Sequence, residues 1–148
     1  IAWALFSVVA TGAQWGLKVA ALMTPVMETN SAIVGGIILL AAGAFQFTAL
    51  KNACLQHCRS PLMFFMAGWR PGRIGALSMG FRHGLFCVGC CWALMAVMFV
   101  GGVMNPLWLV GLAVFVLIEK LTPWGGRISQ VAGGTLICAG IYYVFSRF

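Results

Sequence analysis

Residues 76–100 read ALSMGFRHGLFCVGCCWALMAVMFV, and this stretch decides the fold. Apart from Ser78, Arg82 and His83 the run is apolar, and a bilayer core about 30 Å thick takes roughly 20 apolar residues of helix. Only helices and closed barrels satisfy every backbone group in lipid. The run lacks the alternation of a barrel strand, so it reads as a transmembrane helix.

Working outward, four further stretches have the same character. The sequence places helices at about 1–23, 32–50, 76–100, 107–121 and 128–145, separated at Thr24-Pro25, Asn105-Pro106 and Thr122 to Arg127. Glu28 and Asn30 fall in the first turn. A polar connection from Lys51 to Gly75, punctuated by Ser60-Pro61 and Arg70-Pro71-Gly72, reads as the one long loop. The expected architecture is therefore all-α, a polytopic transmembrane bundle of about five helices forming a single domain over residues 1–148.

Composition agrees. Of 148 residues 62% are hydrophobic and 7% charged, too few polar groups to cover a water-soluble fold. The net charge of +7 would suit nucleic acid only on a solvated basic face with aromatic or polar readers beside it, and no such face is present. The chain opens inside an apolar run at Ile1, with no basic leader, and reads as the C-terminal part of a longer protein.

Lys51, Arg59, Arg70, Arg73 and Arg82 crowd the connection between the second and third helices and the start of the third, and Lys120 and Arg127 flank the last turn. The positive-inside rule places that end in the cytoplasm, as for a bacterial inner-membrane protein. Arg147 dissents. Trp69, Trp108 and Trp124 read as interface anchors, and Lys18 lies close enough to a helix end to snorkel.

Five of six cysteines and both histidines gather in two clusters: Cys54, His57 and Cys58, then His83, Cys87, Cys90 and Cys91. At about 100° per residue each set shares one helical face, provided the second helix continues past Leu50. Gln46 and Met79 extend these faces, and Met98 lies further along the second. Gly80, Gly84 and Gly89 would let another helix approach closely.

Thiolate, imidazole and thioether select Cu(I) or zinc over harder ions. The methionines favour copper; zinc remains open on ligand type, although the spacings match no zinc-finger pattern. Two other readings stand beside metal binding. Cys87-Val88-Gly89-Cys90 is a C-x-x-C pair suited to a thiol oxidoreductase, while buried free cysteines often only pack, the reading given to Cys138. Glu119 is either an interfacial ion-pair member beside Lys120 or a buried carboxylate holding a basic partner such as Arg82.

With these residues in view, the chain resembles the DUF2182 family, described as predicted metal-binding integral membrane proteins. The resemblance is carried by Phe45-Gln46, by Leu50 to Pro61 with its Cys54-Leu55-Gln56-His57-Cys58 core, by Trp69-Arg70-Pro71-Gly72, by Gly80 to Gly84, and by Cys87 to Met95. Phe99 to Asn105 and Glu119-Lys120 fit as well. It implies metal binding without a defined reaction, and members carry further N-terminal helices with a methionine-rich segment.

The sequence thus points to a membrane protein that handles or delivers a soft metal rather than catalysing a reaction. Its partners would be the lipid bilayer and a metallochaperone or larger membrane complex. The alternative from another class is an accessory subunit of such a complex.

Overall fold

The computed structural model describes residues 1–22 and 31–146. Among them every regular element is helical: α1 (Ala2–Val19), α2 (Ala32–Gln46), α3 (Ala49–Arg59), α4 (Pro61–Ala67), α5 (Gly72–Ala96), α6 (Met98–Gly101), α7 (Pro106–Leu121) and α8 (Gly125–Phe145). The turn holding Thr24-Pro25, Glu28 and Asn30 lies outside the described residues, as does Arg147.

The element starts follow from local chemistry. Ser31 Oγ accepts from the Val34 amide at 3.4 Å to cap α2. Asn105 Oδ1 accepts from the Leu107 and Trp108 amides at 3.1 and 3.3 Å, and Pro106 follows as the first helical residue of α7.

The expected five spans resolve differently. Among the described residues two helices are long and apolar enough to cross a membrane, Gly72–Gly101 and Gly125–Phe145, and a third crossing counts if the bent pair α2 and α3 acts as one span. The others fall short for identifiable reasons. α7 has 16 residues, about 24 Å at 1.5 Å per residue against a core of about 30 Å, and α1 carries Gln14 and Lys18 within its 18 residues.

The connection from Lys51 to Gly75 is not a loop. It folds into α3 and α4 and the start of α5. The second helix breaks because Thr48, in an extended conformation, caps a new one: its Oγ1 accepts from the Lys51 amide at 3.2 Å and donates to the Phe45 carbonyl at 2.7 Å. The two segments meet at 67°.

Packing is led by glycine. α2 lies chiefly against α8, so close that a Cβ on Gly43 would stand 2.8 Å from the Gly133 carbonyl and one on Gly133 2.9 Å from the Gly43 carbonyl. α3 rests on α5, where a Cβ on Gly89 would meet Cys54 Sγ at 3.0 Å. Gly84 admits Ala2 of α1, whereas Gly80 faces open space. Large apolar side chains such as Val8, Ile74, Leu107 and Val131 stay exposed around the outside of the bundle.

Candidate metal centre

α3 and α5 bring the two cysteine clusters together. Cys54, Leu55 and Cys58 of α3 form one buried core with Cys90 and Cys91 of α5, and Phe86, Cys87 and Val116 pack against it. Across the helix pair, Cys54 and Cys58 thus share a buried core with Cys90 and Cys91, with Cys87 at its edge. Cys90 has no exposed surface. All the described cysteines are free thiols.

Polar contacts orient these sulfurs. Cys90 and Cys91 each donate to the Cys87 carbonyl, at 3.1 and 3.0 Å. Lys120, from the last turn of α7, donates to Cys87 Sγ at 3.0 Å. An ammonium so placed is the natural partner of a sulfur that carries negative charge. Among the described residues, no three His, Cys, Asp or Glu side chains are already set to hold a metal ion; what the fold provides is sulfur pairs across two helices.

A family model described as PpoB2, copper chaperone, matches residues 1–143. The chain belongs to the PpoB2 copper chaperone family. No curated protein matches it, and no solved structure does. The PpoB2 assignment names a copper-related family under a heading other than the DUF2182 that the motifs resemble, and thiols are the donors a copper protein uses for Cu(I).

In this PpoB2 chain both histidines lie against aromatic rings. His57 Nδ1 is 2.8 Å from the Ala53 carbonyl, and its ring stacks on Phe86 with centroids 4.6 Å apart. His83 lies against Phe64 and Phe65 at 5.5 and 5.4 Å, its Nδ1 buried without a hydrogen-bond partner. Aromatic residues of α4 and α5 thus supply the ring contacts of both imidazoles.

The remaining expected residues divide. Met79 is buried and borders a cavity with His57, while Met98 lines a separate apolar cavity with Trp3, Phe6 and Trp92. Gln46 does not share the α3 face, because the bend turns it to α8, where Ser129 Oγ donates to its Oε1 at 2.8 Å. Cys138 is exposed rather than packed.

Glu119 is a buried carboxylate, but its partner is not Arg82, whose guanidinium sits 5.8 Å over the Phe64 ring. It pairs with Lys51 at 2.8 Å, both side chains fully buried. Lys51 and Lys120 make buried or part-buried polar contacts that composition hid, since a lysine near a helix end reads first as a topology signal. The adjacency of Glu119 and Lys120 was the available clue: consecutive residues about 100° apart on α7 reach α3 and α5 respectively.

Proposed function

We propose that this PpoB2-family chain is a membrane-embedded copper chaperone that carries Cu(I) as cargo on the sulfurs between α3 and α5. The pool of ligands is Cys54, Cys58, Cys87, Cys90 and Cys91. The observation that carries the reading is the buried core that Cys54 and Cys58 of α3 share with Cys90 and Cys91 of α5, with Cys87 packed against it. A soft monovalent ion is satisfied by few thiolates in a dry setting, and thiols packed across the two helices can supply them. Zinc would call for four ligands in tetrahedral array, which suits this arrangement less well.

The membrane setting is part of the proposal. Two clear spans, a bent third and the exposed apolar shell support it. α1 and α7 complete a five-helix bundle, their shortness taken up by local thinning of the bilayer. The basic end, with Lys51, Arg59, Arg70, Arg73 and Arg82, faces the cytoplasm of a bacterial inner membrane, where thiols stay reduced and a metallochaperone or larger membrane complex exchanges copper with them.

The test is anaerobic Cu(I) titration against a competing chelator, using purified protein and the Cys58→Ser and Cys138→Ser variants. Cys58→Ser should lose most of the tight copper and Cys138→Ser none. Equal copper in wild type and Cys58→Ser would defeat the assignment. The C-x-x-C pair of Cys87 and Cys90, in which the Cys90 thiol donates to the Cys87 carbonyl, also fits thiol redox exchange, and trapping a mixed disulfide at either residue would favour that second reading.

A further inference from the structure

A second group of soft donors lines a cavity of ≈470 Å³ beside α3, bordered by His57, Met63, Phe64, Met79 and Arg82. Met79 is buried and Met63 is exposed, so the cavity offers thioethers at its wall and at its mouth. The tautomer of His57 is set by its neighbour. A carbonyl only accepts, so Nδ1 carries the proton toward Ala53 and Nε2 keeps a lone pair.

Phe86 links this cavity to the sulfurs. One face of its ring stacks on His57, the planes only 13° apart, and Phe86 also packs against the core of Cys54, Cys58, Cys90 and Cys91. A single aromatic ring thus touches both the imidazole and the thiol core. Arg82, held over Phe64 at 5.8 Å, puts a fixed positive charge at the rim, which opposes a divalent ion more strongly than a monovalent one.

We propose that this cavity is a loading vestibule in which His57, Met63 and Met79 hold incoming Cu(I) before it passes Phe86 to the cysteines. The inference rests on the reading of those cysteines as the Cu(I) carrier. Transfer is ligand exchange without redox change. Bonds from copper to imidazole nitrogen and thioether sulfur break as bonds to thiolate sulfur form, copper remains Cu(I), and each thiol that ligates gives its proton to water in the cavity. The gradient runs inward, because thiolate binds Cu(I) more strongly than thioether or imidazole.

The test uses the full chain in nanodiscs under reducing conditions, with Cu(I) supplied as its acetonitrile complex and loading followed through the ultraviolet copper–thiolate band. The variants are Met63→Leu/Met79→Leu, which keeps the apolar volume, and His57→Phe, which keeps the stack on Phe86. Each should slow loading by at least about tenfold while final copper content and affinity stay at wild-type values. An unchanged rate overturns the vestibule, and so does loss of copper content in step with the rate, which would make these residues part of the store.

A second readout separates this failure from failure of the cysteine reading. Ag(I), a redox-inert stand-in for Cu(I), titrated into protein carrying ¹³C-methyl methionine should shift the Met63 and Met79 methyls and leave Met66 of the same helix unmoved. No shift at Met63 and Met79 overturns the vestibule even where the thiols load normally. Shifts there, in a protein whose thiols take no metal, would make the methionines a site of their own and overturn both the loading role and the thiol carrier.

Discussion

Lys120 Nζ stands 3.0 Å from Cys87 Sγ, so that the last turn of α7 delivers a positive charge onto the thiols of α5. With Cu(I) held by two thiolates, that ammonium makes the assembly neutral, which matters most where little water is present to screen it.

Lys120→Met should therefore weaken Cu(I) binding. A hydrogen bond to a charged group is worth about 1.5–3 kcal/mol, which converts to at least about tenfold in affinity. Lys120→Arg should keep most of the affinity. Chelator competition on both variants measures this, and equal affinity in Lys120→Met and wild type would remove the counter-charge role.

Lys51 and Glu119 form a fully buried ion pair that joins α3 to α7. Removing one partner strands the other charge, and in buried pairs this costs about 3–5 kcal/mol, whereas replacing both with apolar residues is often neutral. Lys51→Met should lower the melting temperature in detergent sharply, and Lys51→Met/Glu119→Leu should recover most of the loss. A double variant as unstable as the single one would mean that the pair has a role other than mutual neutralisation.

The α2 and α8 contact depends on the absence of side chains. A Cβ on Gly133 would lie 2.7 Å from the Gln46 Cβ and 2.8 Å from the Phe47 ring, while one on Gly134 meets nothing within 4 Å. Gly133→Val should cost about 1–3 kcal/mol by overpacking, read as a lower melting temperature. Gly134→Val, pointing outward, should be close to neutral. Similar behaviour of the two would contradict the observed packing.

Much of this arrangement was legible in the chain. The offsets among Cys87, Cys90 and Cys91 place them on one face of α5, the offset between Cys54 and Cys58 does the same on α3, and the two helices do meet there. Gly89 leaves room for Cys54 of α3, as a small residue in an apolar helix suggests.

What escaped the sequence was tertiary in origin. Thr48 sits inside an apolar run, and its capping role emerges only once the chain turns by 67°; that turn carries Gln46 away from the cysteine face. Stripe periodicity put His57 and His83 in register with the thiols, but it carries no information about Phe64 and Phe86, whose rings pack on the imidazoles. The burial of Lys51 depends on Glu119, 68 positions later, and no local pattern links them.

The central claim is that copper rides on sulfur between α3 and α5. The most direct measurement is copper K-edge X-ray absorption on the Cu(I)-loaded protein beside its Cys58→Ser/Cys90→Ser variant. The account predicts a short, sulfur-dominated first shell in the wild type that is lost or replaced by weaker nitrogen and oxygen scatterers in the variant. A first shell of nitrogen and oxygen in the wild type, or an identical sulfur shell in both proteins, would contradict it.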